Sequence, residues 1–314
     1  MPSMRSGAIR LGNIAGINLY LHWSWFLVAI YEIQGRRGGY GSVVWNIAEY
    51  LTLFLIVLTH EFGHALATRS VGGTANQILL WPFGGVAYVS PPQRPGATLW
   101  AIAAGPLVNV VLAPLLWGAL LAARSLGWDA SNPDLYHYLF AVLWIDVYLL
   151  AFNILPIYPL DGGQILRSLL WFWLGRAKSL LVATVLGFVG IAGFIALAVY
   201  WDSYWFGALS LYLVFSCWSG LKHALALLKL EKLPRRPGFA CPSCRTAPLV
   251  GEYWRCQQCQ QVYDTFATAA VCPQCGARSA QTTCVDCRQS APISEWAVGA
   301  HAHSGVVSSS FETR

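Results

Sequence analysis

The chain has 314 residues, of which 56% are hydrophobic and only 11% are charged, and its formal net charge is +6. Soluble domains carry about a quarter charged residues, so this composition excludes an ordinary soluble enzyme. Long apolar runs with few charges predict a polytopic membrane protein, in which the placement of basic residues matters more than their sum.

The first apolar run, residues 17–33, is just long enough to cross ~30 Å of hydrocarbon as a helix. We predict it to be the first of about six transmembrane helices, with the others near residues 43–69, 97–123, 136–155, 177–200 and 205–228. His22 lies in this run. An internally hydrogen-bonded or interfacial histidine is the simpler interpretation, and a ligand or gate is the alternative.

The second predicted span ends with His60-Glu61-Phe62-Gly63-His64. Two histidines four residues apart share one helix face and can bind one metal ion. The glutamate beside the first histidine can accept a proton from a water molecule at that ion, as in zinc-dependent peptidases. A chance match is disfavoured, because three ionisable groups at the end of an apolar helix are costly in lipid without a function.

Residues 72–95 interrupt the helical pattern. Two short β-prone runs, 77–81 and 86–90, flank a turn with the sequence Pro-Phe-Gly-Gly. This pattern predicts a β-hairpin at the membrane face, with an irregular loop as the alternative. The hairpin can offer an edge strand to an extended substrate, which makes Gly84 and Gly85 candidate substrate-binding residues.

The third predicted span contains Gly105-Pro106 and Asn109. Glycine and proline within a span allow close helix approach or a local break. The Asn109 side chain needs a partner inside the bundle, and we include it among the candidate substrate-binding residues.

The fourth predicted span is broken between Asn153 and Gly163, where Pro156 and Pro159 remove backbone donors. Non-helical backbone at membrane depth is tolerated where it is buried or lines a wet cavity, so we expect a cavity here.

Two histidines leave a zinc ion short of ligands, since a catalytic zinc ion usually has three protein ligands. The carboxylates at membrane depth are Glu32, Glu49, Asp146 and Asp161. Asp161 lies in the broken segment at a depth similar to that of the histidines. Asp146 lies fifteen residues earlier, ~22 Å along a helix, too far to share the ion. It serves either an internal hydrogen bond or a proton or water path.

The tail contains four Cys-x-x-Cys pairs in residues 239–290, a spacing typical of zinc sites. Eight thiolates make two structural four-cysteine sites. The simpler, sequential grouping places Cys241, Cys244, Cys256 and Cys259 in one site and Cys272, Cys275, Cys284 and Cys287 in the other. An interleaved grouping is the alternative.

The segments around these pairs are predicted from composition. Residues 231–238 are predicted to be a linker and residues 291–314 to be disordered, with His301 and His303 as weak metal ligands. A cytoplasmic protein or a nucleic acid is a candidate partner of the two ribbons. The basic side chains available for it are Arg245, Arg255, Arg278 and Arg288.

The distribution of lysine and arginine predicts the orientation. With six spans, one side of the membrane holds twelve of these residues in its loops and stems and the other holds three. The positive-inside rule therefore predicts that both termini and the ribbons are cytoplasmic. We expect a multi-pass protein in the plasma membrane of a prokaryote.

Three motifs together resemble the site-2 protease family of intramembrane zinc metalloproteases. They are His60–His64, Gly105-Pro106 with Asn109, and the run N-x-x-P-x-x-P-L-D-G from Asn153, and the resemblance covers about residues 17–230. It implies Asp161 as the third zinc ligand and Asn153 as a substrate-positioning or oxyanion-stabilising group. It also implies cleavage of membrane-spanning substrate segments in the lipid bilayer.

The expected fold is therefore mostly α: a transmembrane domain over residues 1–230 with a small membrane-associated β-hairpin, followed by the zinc-ribbon tail. Two other functions remain open. The chain can be a non-proteolytic anchor that displays the ribbons, or a metal transporter that uses the same ligands. An intact Glu61 argues against an anchor, and a single cluster of ligands argues against a transporter.

Overall fold

The computed structural model describes residues 7–35, 39–81 and 84–298. The chain divides into two compact units, with the boundary between Leu228 and Lys229. We call the first the membrane unit and the second the ribbon unit. The predicted fold class, a helical membrane domain with a small sheet and a cysteine-rich tail, is confirmed, except that five helices of the described residues, and not six, are long and apolar enough to span a membrane.

The elements of the membrane unit follow one another in a strand–helix–strand–helix order. They are β1 (Ala8–Ile14), β2 (Ile17–His22), α1 (Trp25–Gly35), α2 (Val43–Ser70), β3 (Thr74–Trp81), β4 (Gly84–Ser90), α3 (Pro95–Ser125), α4 (Trp128–Ser131), α5 (Pro133–Ile154), α6 (Asp161–Tyr200) and α7 (Tyr204–Glu231). Among the described residues, α2, α3, α5, α6 and residues 206–231 of α7 are long and apolar enough to cross a membrane.

The first predicted span, residues 17–33, is wrong as a single helix. Its first third forms β2, in which Ile17 and Leu19 are buried on one side of the strand. The strand hydrogen-bonds to β1 on one side and β3 on the other, so its backbone is satisfied without helical bonds. The remaining helix, α1, has only 11 residues and is too short to span.

The predicted hairpin is confirmed, and it belongs to a larger sheet. The four strands lie in the order β1-β2-β3-β4, with β2 and β3 parallel and the other pairs antiparallel. Pro82 and Phe83 of the predicted turn lie outside the described residues. The strand β4 is an edge of this sheet, and the sheet packs against α2 through Val57, Ala65, Ile78 and Leu80.

The segment from Ala15 to Trp25 runs antiparallel to α2. At one end, the Arg69 guanidinium donates hydrogen bonds to the carbonyl oxygens of Ala15, Gly16 and Ala75. At the other, the Tyr50 hydroxyl donates to the Trp25 carbonyl oxygen over 3.0 Å. The chain from Ala15 through β2 to the start of α1 therefore retraces the path of α2 in the opposite direction.

The predicted break in the fourth span is confirmed: α5 ends at Ile154 and α6 begins at Asp161. The chain folds back tightly over the start of α6. A Cβ atom on Gly162 would lie 2.1 Å from the Ile154 carbonyl oxygen, and one on Gly163 would lie 2.4 Å from the Tyr158 nitrogen. The two glycines after Asp161 are therefore required by this close approach. Further along, Gly175 interrupts α6 with φ +77°.

The ribbon unit contains two short hairpins, β5 (Trp254–Arg255) with β6 (Val262–Tyr263) and β7 (Thr282–Thr283) with β8 (Ser290–Ala291). Its aromatic core forms around Phe266, whose ring centroid lies 5.0 Å from that of Trp296 and 5.2 Å from that of Trp254.

Two boundaries of the predicted tail are wrong. Residues 291–298 are ordered, because Trp296 is 1% exposed in the core of the ribbon unit. The predicted linker is also part of this unit, since Arg235 forms a two-pronged ion pair with Asp286, both bonds at 2.9 Å. Residues 299–314, including His301 and His303, lie outside the described residues.

Candidate active site and metal centres

The histidines and the glutamate of the α2 motif face the interior of the membrane unit. His60, Glu61 and His64 are 3%, 6% and 8% exposed. Asp161, the first residue of α6, meets them from the other side of the chain break. Its Oδ2 atom lies 3.0 Å from His60 Nε2 and 3.3 Å from His64 Nε2, and the two Nε2 atoms are 3.2 Å apart. The structure thus brings together three residues that the sequence separates by up to 101 positions.

These three donor atoms fit a zinc ion. A tetrahedral zinc ion with bonds of ~2.0–2.1 Å holds its ligand atoms ~3.3 Å from one another. The observed separations of 3.0–3.3 Å match that spacing. Three protein ligands also leave one tetrahedral position open, as catalytic zinc sites do.

Both imidazoles are oriented with their Nε2 atoms towards this point. His60 Nδ1 donates to Asn109 Oδ1 over 2.7 Å, and His64 Nδ1 donates to the Ala101 carbonyl oxygen over 2.9 Å. A proton on Nδ1 leaves the lone pair of Nε2 available to a metal, so α3 fixes the tautomer of both ligands.

Asn109 lies behind His60 with its side chain 0% exposed, so its substrate-binding role stays a prediction. Its amide nitrogen donates to Asp146 Oδ1 over 2.6 Å. Asp146 is therefore not a ligand, as expected, but it lies only two hydrogen bonds from His60. The Asp146–Asn109–His60 chain joins α5, α3 and α2.

Small residues allow α3 to approach α2 closely enough for these bonds. A Cβ atom on Gly63 would lie 2.6 Å from the Ala104 carbonyl oxygen. One on Gly105 would lie 2.3 Å from His64 Nε2 and 2.7 Å from His60 Nε2. The glycine inside the α2 motif and the glycine of Gly105-Pro106 thus make room for the backbone of α3 and for the site.

A cavity of about 650 Å³ contains the site. Its walls include Glu61, Asn153 in the last turn of α5, and Gly85 in β4. A Cβ atom on Gly85 would lie 2.1 Å from Glu61 Cγ, so the edge strand passes directly over the Glu61 carboxylate. Gly84 is the residue before it, paired with Trp81 in the β3–β4 ladder.

The other candidate residues lie elsewhere. Glu49 is buried and accepts a hydrogen bond of 2.9 Å from the Tyr40 hydroxyl. His22 Nδ1 is 2.5 Å from the Ser24 hydroxyl, the internal hydrogen bond favoured from the sequence. The side chain of Glu32 lies outside the described residues.

Sequence reasoning missed Arg167 and Trp171, which line the same cavity. The signal that could have found them is the spacing of polar and aromatic residues along α6. Asp161, Gln164, Arg167 and Trp171 follow one another at intervals of three, three and four residues, so they share one helix face.

The ribbon unit groups its cysteines differently from the sequential prediction, which is wrong. The first Cys-x-x-Cys pair joins the fourth, and the second joins the third. One group is Cys241, Cys244, Cys284 and Cys287, and the other is Cys256, Cys259, Cys272 and Cys275. The second group is nested within the first, because residues 254–283 close back on themselves before the chain returns to the first pair.

The sulfur separations suit zinc. Across the groups, paired Sγ atoms are 3.5–3.8 Å apart. Four thiolates around zinc at ~2.3 Å lie ~3.8 Å from one another, whereas a disulfide requires ~2.05 Å. Each group can therefore hold a zinc ion with every position filled by sulfur, a structural arrangement.

Every Cys-x-x-Cys pair forms the same turn. The residue after the second cysteine adopts positive φ, and its N–H donates to the carbonyl oxygen of the first cysteine. These residues are Arg245, Gln260, Gly276 and Arg288. The turn directs backbone N–H groups at sulfur, and those of Cys259 and Gln258 lower the pKa of Cys256 to about 6. At Cys256 the thiolate, which is the ligand form, is therefore stabilised before metal binds.

Two of the predicted partner-binding arginines lie together. Arg255 and Arg288 line one groove of about 430 Å³ with Tyr253 and Gln281. A protein or nucleic-acid partner of the ribbon unit stays a prediction.

Comparison with known proteins agrees with the site. The model of peptidase family M50 matches residues 48–126 and 122–197. The membrane unit belongs to peptidase family M50. The resemblance to the site-2 protease family is thereby confirmed.

Individual curated relatives match about half of the chain. A zinc metalloprotease of Methanocaldococcus jannaschii is 33% identical over 180 residues, 57% of this chain and 50% of the relative. Stage IV sporulation protein FB of Bacillus subtilis is 34% identical over 128 residues, 40% of this chain and 41% of that protein. The chain spans about half the length of the curated relatives it matches.

A solved structure, the site-2 protease from Methanocaldococcus jannaschii, is also similar. It is 26% identical, and the match covers 68% of this chain and 95% of that chain with a TM-score of 0.48.

Proposed function

We propose that this M50 member is a zinc-dependent endopeptidase that cleaves peptide bonds in or near transmembrane segments of membrane proteins. The observation that carries the proposal is the convergence of His60, His64 and Asp161 beside Glu61, in a cavity among five apolar helices. Because the site lies among helices that are apolar enough to cross a membrane, the peptide segments that reach it are those in or next to the lipid bilayer.

The three convergent residues would hold the zinc ion. A bound zinc ion supplies Lewis-acid chemistry: it acidifies a water molecule and polarises a carbonyl group. The α3 backbone and Asn109 keep both imidazoles in the tautomer that this binding requires.

Glu61 acts as the general base and acid. Its carboxylate lies beside His60 in the cavity, where it takes a proton from the attacking water and later gives a proton to the leaving amine. Gly85 allows the edge strand to close over this carboxylate without displacing it.

Asn153 stabilises the oxyanion that forms at the scissile carbonyl. Its position in the last turn of α5, on the wall of the same cavity, supports this role. Amide N–H groups that face developing negative charge lower the barrier in acyl-transfer sites.

The substrate binds as an extended chain along β4. A helix hides its carbonyl carbon atoms, so a substrate segment must unwind before cleavage. An edge strand offers unpaired backbone groups to such a segment, and at Gly85 this strand lies directly beside the Glu61 carboxylate.

We infer that both termini and the ribbon unit are cytoplasmic. The excess of lysine and arginine, twelve against three, supports this orientation. Five helical spans alone would place the termini on opposite sides. The segment from Ala15 to Trp25 runs antiparallel to α2 over much of its length, and we count it as a further, non-helical crossing that makes the total even.

The direct test replaces Glu61 with Gln. Loss of the general base should reduce cleavage of a reporter transmembrane substrate by at least ~100-fold, with the zinc content unchanged. The matched control is Glu49→Gln, since Glu49 is a buried glutamate of the same helix that contacts Tyr40 instead of the site. Wild-type cleavage by Glu61→Gln would refute the assignment.

The same variant identifies the natural substrate. Membranes from cells with Glu61→Gln should accumulate an uncut protein that membranes from wild-type cells lack. An unchanged membrane proteome would favour a non-proteolytic anchor instead. A transporter is disfavoured, because the described part of the membrane unit holds a single cluster of three or more His, Asp and Glu ligands.

A further inference from the structure

Arg167 lies in the wall of the cavity that contains the zinc ligands and Glu61. It is six residues after Asp161 on α6, which is about 9 Å along the helix axis. Asp161 and Arg167 both line this cavity, so the guanidinium is reached through the same space as the metal site.

The Arg167 guanidinium packs near an aromatic ring but has no carboxylate counter-ion among the described residues. Its Cζ atom lies 5.8 Å from the centre of the Trp171 ring, so the cation stacks on an aromatic face. Its Nε atom is buried without a hydrogen-bond partner. Arg167 forms no ion pair with any carboxylate of the described residues. A planar cation near an aromatic ring, without a counter-ion among the described residues, is suited to bind a carboxylate.

The cavity is long enough to hold a peptide that reaches both places. Besides Gly85 near Glu61, its walls include Val89, Pro91 and Gln93, so it extends along β4 and past the end of the strand. An extended chain rises ~3.3 Å per residue. For a substrate that runs along the α6 axis, a side chain about three residues from the peptide group at the zinc ligands is level with Arg167.

We propose that Arg167 forms a subsite for the carboxylate of an aspartate or glutamate in the substrate, about three residues from the scissile bond. This inference rests on the proposed function and names one determinant of substrate choice. The position is specific because Glu61 and Asp161 repel an acidic side chain placed beside the scissile bond. Apart from the two imidazoles, Arg167 is the basic side chain that lines the described cavity.

The test uses the full chain, loaded with zinc, in vesicles of zwitterionic lipid. Reporter transmembrane substrates carry either Asp or the isosteric Asn at each of the four positions on either side of the cleaved bond. At one position about three residues from that bond, Asp should raise kcat/KM by at least ~10-fold over Asn, as a charge-assisted pair allows.

Arg167→Gln should reduce this Asp-to-Asn ratio to about one. Arg167→Glu should invert it, with a Lys reporter cleaved faster than the Asp reporter at the same position. The control Arg124→Gln, at the exposed end of α3, should keep the wild-type ratio. The ratio is independent of any general loss of activity, and Arg167→Lys, which keeps the charge, should retain part of it.

Three results would overturn the subsite. The wild-type enzyme can cut all reporters without any preference for Asp, or Arg167→Gln can keep the preference. Alternatively, Arg167→Gln can slow the Asp and Asn reporters equally, with an effect that grows when anionic lipid is added, which would assign the guanidinium to a lipid phosphate. If zinc-loaded wild type cuts no reporter at all, the proposed function itself fails.

Discussion

The two units of the chain each present metal-binding side chains, but they assemble them in different ways. In the membrane unit, three candidate ligands come from the body of α2 and the start of α6, and together they would leave one tetrahedral position of a zinc ion open. In the ribbon unit, each site takes four thiolates from two identical turns. An open position suits catalysis, whereas a site filled by sulfur suits folding.

The supporting contacts differ in the same way. Backbone N–H groups within each turn stabilise the ribbon thiolates, so the support is local. In the membrane unit, the tautomer of His60 depends on Asn109 in α3 and, through it, on Asp146 in α5. The catalytic site therefore depends on the packing of several helices, and the ribbon sites depend on short segments.

The largest expected effect separates the two kinds of site. Asp161→Ala should remove one zinc ion per chain, from three to two, and abolish cleavage, because the remaining two imidazoles hold the ion weakly. Elemental analysis of the purified protein measures the zinc content. The control Asp134→Ala changes an aspartate that accepts hydrogen bonds from the Gly41 N–H, and it should keep three ions. Three ions in Asp161→Ala would remove Asp161 from the site.

The nested grouping of the cysteines can be tested with double variants. The double variant Cys241→Ser with Cys287→Ser alters a single site and should lose one bound zinc ion per chain. The double variant Cys241→Ser with Cys259→Ser alters both sites and should lose two bound zinc ions per chain. The sequential grouping predicts the reverse, so zinc counting decides between them. Neither variant should change the zinc content of the membrane unit, since the ribbon cysteines contribute no ligand to that site.

Gly85→Ala probes the strand that passes over Glu61. Its methyl group would overlap the Glu61 side chain and displace it, so cleavage should fall by ~100-fold while three zinc ions stay bound. Gly118→Ala is the control, because a Cβ atom there meets nothing within 4 Å. Equal rates for the two variants would mean that the carboxylate has room to move.

The smallest effect is expected for Asn109 and Asp146, which support His60 on the side of its ring away from the metal site. Asn109→Ala removes the acceptor for His60 Nδ1 and should weaken zinc binding in the membrane unit by ~10–100-fold, measured by competition with a chelator. Asp146→Leu should have a similar effect and Asp146→Asn a smaller one, because Asn can still accept from the Asn109 amide. The affinity of the ribbon sites should not change. An unaltered zinc affinity in Asn109→Ala would show that the hydrogen bond is dispensable.

Local patterns predicted most of the membrane unit. Helical spacing placed His60 and His64 on one face, and apolar runs located α2, α3, α5 and α6. The failure at residues 17–22 has a physical cause. A short apolar run fits a helix or a buried strand equally well, and here the choice was made by β1 and β3, which offer hydrogen bonds to both edges of β2.

The sequence by itself determined which side chains bind metal, because Cys-x-x-Cys and the α2 motif fix ligand geometry within one turn of chain. It also determined that the chain lies in a membrane, since its high hydrophobic content and low charge suit lipid better than water. Only the tertiary structure decided which cysteine pairs meet, that Asn109 hydrogen-bonds to His60, and that Arg167 lines the cavity. Those relations join residues far apart in the chain, and the packing of whole elements sets them.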